Sequence, residues 1–180
     1  MPVPEARMGE TAGGLEPQTD GWFVVNAADA GWWHNDEFGQ KCRFEARERP
    51  FPQIAISLVV LQPGKPNCMY HGEEIQEDFL VLSGECLLLV EGEERRLQAW
   101  DFVHCPAWTE HVFVGAGDGP CAVLMVGARP DVEVVYPVSD LARRHGASVE
   151  RETRSADEAY AASPDSERRR LMSLGLPWQR

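Results

Sequence analysis

The segment PGKPNCMYHGEEIQEDFLVLSGE, from Pro63 to Glu85, sets a histidine and several carboxylates directly before an apolar run. His71 and Glu73 stand two residues apart. On an extended chain, side chains at i and i+2 share a face, so both can enter one interior. Glu77 follows after a turn and opens the run Asp78–Leu82, from which it can point back toward the same place. Glu74 is expected to face outward where Glu73 faces inward, and Gln76 can stand in as a neutral oxygen ligand if the turn is rotated. A second segment, DFVHCPAWTEHVFVG from Asp101 to Gly115, places His111 at the start of a strand after a proline-containing turn. His71, Glu73, Glu77 and His111 together form a nitrogen and oxygen ligand set suited to zinc, iron or manganese. His104 lies nearby, but a lone strand histidine more often satisfies itself with a hydrogen bond.

Outward from these segments, short apolar runs recur between turn signals: Trp22–Val25, Cys42–Glu45, Ile54–Leu61, Asp78–Leu82, Glu85–Glu91, Asp101–His104, His111–Val114, Pro120–Val126 and Val132–Tyr136. Such regular spacing predicts an antiparallel barrel or sandwich. Leu82-Ser83-Gly84-Glu85 and Glu91-Gly92-Glu93-Glu94 each place a glycine where a tight hairpin needs positive φ. Residues 1–20 have no apolar periodicity and read as a mobile lead-in segment. After Pro137, Ser139 and Ser155 can cap short helices. Ser163-Pro164-Asp165 before Glu167–Met172 resembles a third capped helix, with Arg168, Arg169 and Arg170 on a solvated face. The expected organisation is therefore a lead-in over 1–20, a barrel with an added strand region over 21–137, and a helical extension over 138–180.

The two segments resemble the paired motifs of the cupin superfamily, approximately G-x5-H-x-H-x3–4-E-x6-G and G-x5-P-x-G-x2-H-x3-N. Glu77 to Gly84 fits the Glu-x6-Gly portion, His71 fits the first histidine, and His111 fits the histidine of the second motif after Pro106. The likeness spans roughly Ala55 to Gly127. Glu73 stands where a second histidine is usual, Gly115 replaces an asparagine, and Trp100 and Trp108 occupy usual glycine positions. Tryptophan takes positive φ only at a cost, so the loop around Trp108 is expected to differ from the usual turn, unless the glycine it replaces never had that conformation. The resemblance implies a single double-stranded β-helix, or jelly-roll, barrel holding a divalent metal ion through His71, Glu73, Glu77 and His111. It implies a small-molecule substrate for an oxygenase or an isomerase, with Glu73 able to leave the ion and act as a general base. The alternative is a non-catalytic sensor or binding barrel for a metal or metabolite. A homodimer is expected, because an open barrel has sheet edges that need cover.

Hydrophobic residues at 43% and charged residues at 26% describe a folding chain. A formal net charge of -12 disfavours nucleic acid and anionic membranes as partners. With no long apolar stretch and no signal-like amino terminus, a cytoplasmic location is expected. Cys42, Cys68, Cys86, Cys105 and Cys121 are odd in number and form no C-x-x-C pair, so neither a disulfide framework nor a zinc knuckle is indicated. Phe79, Phe102, Phe113, Met69 and Tyr70 are expected to fill the barrel. Trp32, Trp33 and His34 should pack over its end, and Trp178 should anchor the carboxy-terminal segment.

Overall fold

A computed structural model describes residues 1–129 and 133–179. In chain order the strands are β1 (Met8–Thr11), β2 (Gly14–Pro17), β3 (Trp32–Asn35), β4 (Gly39–Arg43), β5 (Ile54–Leu61), β6 (Gly72–Glu73) and β7 (Glu77–Ser83). They continue with β8 (Glu85–Val90), β9 (Glu93–Gln98), β10 (Phe102–Cys105), β11 (His111–Ala116), β12 (Cys121–Ala128), β13 (Val134–Val135) and β14 (Glu167–Arg168). Helices α1 (Asp140–Arg143) and α2 (Ala156–Ala159) are one turn each.

Seven strands form one antiparallel sheet in the order β10-β7-β12-β5-β4-β3-β14, and β11-β8-β9 form a second. The apolar side chains of Val59, Leu61, Phe79, Val81, Val123 and Met125 on the large sheet meet Cys86, Leu88 and Phe113 on the small one, making a jelly-roll barrel. Alternation along each strand sends the other set outward. Leu58, Val60 and Ala122 on the outer face of the large sheet are covered by Trp32, Leu171, Leu174, Leu176 and Trp178. Tyr70, Leu89, Val112 and Val114 are covered by Ala142 of α1 and by Ala147. Trp32 is fully buried in this layer, its indole N–H donating to the Ala27 carbonyl at 2.7 Å, and Trp178 packs beside it, whereas Trp33 lines a cavity on the other face of the sheet. No helix among the described residues is long and apolar enough to cross a membrane.

Several expectations are corrected. The Ser83-Gly84 turn is no hairpin: β7 and β8 lie in different sheets, and the turn carries the chain across the barrel. Gly84 has φ 74°, and an added Cβ would lie 2.4 Å from the Pro120 carbonyl oxygen. The turn at Glu91-Gly92 does join a hairpin, β8–β9, with φ of 49° and 76°. Residues 1–20 contain the hairpin β1–β2, whose Glu16 is buried against Arg168 at 3.0 Å. Trp22–Val25 forms no strand. The expected third helix is instead β14, because the edge of β3 captures this segment: Arg168 lies over the Trp33 ring and pairs with Glu16. Of the residues expected to fill the barrel, Phe79 and Phe113 do so, Phe102 is 64% exposed, and Tyr70 and Met69 pack in clusters outside the barrel core. The expected strand beginning at Val132 starts outside the described residues, as does the end of the extension at Arg180; the described part of the strand is β13.

Trp100 and Trp108 both adopt the left-handed conformation, with φ of 77° and 67°. A bulky residue thus occupies a backbone conformation that favours glycine at both positions. Each costs about 1–2 kcal/mol in backbone energy relative to a residue free of that conformation.

Candidate metal centre

The site begins with a reciprocal backbone pair. The His71 amide donates to the His111 carbonyl at 3.2 Å and the His111 amide donates back at 2.8 Å. Directly opposed residues of an antiparallel pair present their side chains on one face, so the two imidazoles come together with ring centroids 5.0 Å apart. Glu77 enters from the first position of β7. Ligand atoms of His71, Glu77 and His111 all lie within 4.8 Å of one another, and Glu77 Oε2 is 3.4 Å from His111 Nε2. Glu73 lies outside that three-residue group but close to it, with Oε1 3.5 Å from His71 Nε2.

The imidazoles are oriented from behind. His71 Nδ1 lies 2.8 Å from the Met69 carbonyl and His111 Nδ1 lies 3.0 Å from the Thr109 carbonyl. A carbonyl only accepts, so each Nδ1 carries the proton and each Nε2 faces the centre. The residues present fit a divalent cation: two imidazole nitrogens and a carboxylate converge, and the ring nitrogens not needed for coordination are already satisfied.

The charges are unevenly held. Burial pushes the Glu77 carboxyl up to about 7, helped by the negative charge of Glu73. Burial pushes His111 down to about 4, and the neighbouring His71 adds to this. For His71, burial opposes protonation, yet Cys68 and Glu73 hold the imidazole well above its usual range. Burial likewise works against charge on Glu73, but the hydrogen bond and charge of His71 keep it below the usual carboxylate range. Side-chain exposure rises from 2% at His111 to 28% at Glu73, so the centre opens on the Glu73 side.

Gln76 turns away: its amide donates to Asp78 at 2.6 Å. His104 pairs with the other Asp78 oxygen at 2.7 Å on the outer surface, the hydrogen-bonded role expected of it. All five cysteines are free thiols. Cys68 gains a place beside the centre, with Sγ 3.6 Å from His71 Nδ1. It also lines a cavity of about 710 Å³ that lies over the concave face of the large sheet. Tyr136, which no motif marks, sets its ring at a tilt to that of His71, centroids 5.9 Å apart.

Residues 57–127 match the family model for the cupin domain. None of the curated proteins matches the chain. Among solved structures, the polyketide cyclase RemF from Streptomyces resistomycificus superposes with a TM-score of 0.53 at 18% identity, covering 62% of this chain and 83% of that one. A cupin-superfamily sugar phosphate isomerase from Silicibacter pomeroyi is 24% identical over 53% of this chain and 68% of its own, with a TM-score of 0.45. A protein assigned as a sugar phosphate isomerase from Acidithiobacillus ferrooxidans is 29% identical over 46% of this chain, with a TM-score of 0.43, and the match spans 54% of that protein.

Proposed function

This chain belongs to the cupin superfamily through residues 57–127, and from that premise we propose that it is a metal-dependent enzyme moving a proton on a small molecule, an isomerase-type reaction. The observation that carries the reading is Glu73: a carboxylate held ionised at the open side of the centre, 3.5 Å from His71 Nε2 and outside the group His71, Glu77 and His111. His71, Glu77 and His111 would hold a divalent ion, which would supply Lewis-acid polarisation of a substrate oxygen. Glu73 accepts the proton next to the polarised group, and the carbonyls of Met69 and Thr109 keep both imidazoles from rotating. General base catalysis of this kind contributes roughly 10²–10⁴-fold.

The supporting experiment is metal content by plasma mass spectrometry on protein purified without chelators, followed by deuterium uptake from heavy water into a panel of hydroxy-ketones and keto acids. Parent protein is expected to retain near-stoichiometric metal, His71→Ala and His111→Ala to lose it, and Glu73→Gln to keep it while exchange falls at least a hundredfold. Full exchange in Glu73→Gln removes the base role. Absence of metal after reconstitution leaves a metal-free binding barrel.

A second reading, an oxygenase, has its own support, since two histidines and one carboxylate with open positions suit ferrous iron and dioxygen. Oxygen uptake by the iron-loaded protein separates the two. A homodimer belongs to the same proposal: β10 is an edge of the large sheet, its first residue Phe102 is 64% exposed, and Trp100 just before it is 74% exposed.

A further inference from the structure

The concave face of the large sheet carries charge that the metal centre does not use. In β4, Gln40 and Cys42 are buried on the outer face, while Lys41 and Arg43 alternate onto the inner one. Register confirms the side: Lys41 lies opposite Val59, a barrel-core residue, and Arg43 lies opposite Ser57. Both cations line the 710 Å³ cavity that Cys68 shares with the centre. Residues i and i+2 of a strand sit roughly 7 Å apart on one face, so the two like charges repel.

Glu16, Glu45 and Asp165 are the acidic residues lining the cavity, and the first two are paired with arginines. Glu45 is buried against Arg129 and accepts from the Phe51 amide, and Glu16 is buried against Arg168. Among the described residues, neither Lys41 nor Arg43 has a carboxylate within salt-bridge distance. Burial, and then the Arg43 charge, push the Lys41 ammonium below its usual range, a shift that a bound anion would oppose; Cys68, Glu77 and Glu73 oppose it only through space, and Glu73 and Glu77 are each in contact with a histidine. Around these cations stand flat side chains: Trp33, Phe38 and Tyr160 line the same cavity. Tyr160 is fixed there, its hydroxyl accepting from the Met69 amide at 3.1 Å and its ring set edge-on to Phe38 at 5.4 Å.

We infer that this cavity binds a small organic anion, its carboxylate or phosphate between Lys41 and Arg43 and its ring or planar body against Trp33, Phe38 and Tyr160. An anion placed there relieves the repulsion of the two cations and meets two donors, one of them able to bind bidentately. A cavity of this size holds a molecule of ordinary metabolite dimensions. Cys68 marks the way onward, since it lines the cavity and lies beside His71, so the far end of the ligand approaches the metal centre. This names a substrate class for the reaction proposed above, but the anion seat itself stands on residues separate from the ion's.

The test is calorimetric titration, with Trp fluorescence in parallel, of metal-free and metal-loaded protein using benzoate, phenyl phosphate and the neutral isostere benzamide. Benzoate or phenyl phosphate is expected to bind both forms, the tighter of the two identifying the anion type, and benzamide at least tenfold more weakly. Lys41→Met is expected to lower affinity at least tenfold, Arg43→Gln several-fold, and Lys41→Arg to restore most of it. Arg43→Gln, at an exposed position, serves if Lys41→Met does not fold. Equal binding of benzamide and the anions, or unchanged affinity in both variants, overturns the anion seat. Anion binding that needs the loaded metal and survives both variants also overturns it, since the ion is then the seat. Anion binding that persists in His71→Ala upholds the seat even if no metal is ever retained.

Discussion

The amide of Trp108 donates to the carbonyl of Glu73 at 2.6 Å, so a tryptophan in a left-handed turn fastens the strand that carries the candidate base. Trp100 adopts the same backbone conformation, with its amide on the Val81 carbonyl at 2.7 Å, but its side chain is 74% exposed. Trp108 recovers part of its cost because the Arg154 guanidinium lies 5.6 Å from its ring centroid. Trp100→Gly is therefore expected to raise stability by about 1 kcal/mol in urea unfolding, and Trp108→Gly to change it little. A loss of stability in Trp100→Gly would mean that its exposed ring makes contacts in solution, as a dimer would provide.

Metal uptake should be coupled to protons. Glu77 sits near 7 because of burial and Glu73, and His71 is held high by Cys68 and Glu73 despite burial, so a cation must displace protons from both at neutral pH or below. His111, near 4, is already neutral there. Affinity for zinc should rise steeply with pH up to about 7, where Glu77 loses its proton, and more gently above it while His71 still holds one. Calorimetry in buffers of different ionisation enthalpy reads the released protons directly, and an affinity flat from pH 5.5 to 7.5 would contradict this charge distribution.

The same carboxyl sets a stability trend in the metal-free protein. The folded state holds the Glu77 proton up to about 7, whereas the unfolded chain releases it near 4.5, so stability from this group falls as pH rises through that window. Glu77→Gln removes the liability and should stabilise the metal-free protein by about 2 kcal/mol at pH 8, with little difference near pH 4.5. His111 runs the other way, adding stability as pH rises from about 4 to 6.5, so the comparison must be made between variants at each pH.

At the carboxy-terminal segment, Leu176 is buried with Trp32, Leu58 and Val60, and the Gln179 side chain accepts from the Leu174 amide at 2.8 Å. Leu176→Ala should cost about 2 kcal/mol by urea unfolding, the lower range for a buried leucine because a chain end can settle into the space. A change below about 0.5 kcal/mol would show that the segment does not cover the sheet in solution.

Sedimentation tests the edge at β10. Phe102→Asp should convert a micromolar dimer to a monomer while leaving metal content unchanged. A parent that is already monomeric removes the homodimer.

The barrel strands were legible where burial writes itself into composition. Ile54–Leu61 is an unbroken apolar run because β5 is covered on both faces, by the barrel core and by the carboxy-terminal segment. His71, Glu77 and His111 were legible because strand alternation and motif spacing bear on the same three positions. β9 was not: EERRLQ is an edge strand with almost all of its side chains in water, and carries no period. The Ser83-Gly84 crossing looks like a hairpin because a tight turn has the same residues whether its strands pair or part. β14 was misread because helix signals in Ser163–Met172 are local, while its pairing with β3 depends on residues more than a hundred positions away. Lys41 and Arg43 gave no signal at all, since only the burial of Gln40 and Cys42 reveals which face they take.

Tyr160 and Ser163–Ser166 form one wall of the cavity, and the chain then runs on to lay Leu171–Trp178 over the back of the sheet. The histidines and carboxylates, by contrast, belong to the barrel. On the proposals made above, exchanging the region after α2 would reshape one wall of the cavity while leaving Lys41, Arg43 and the candidate metal centre in place. A change of preferred ligand would then need no change in the barrel strands.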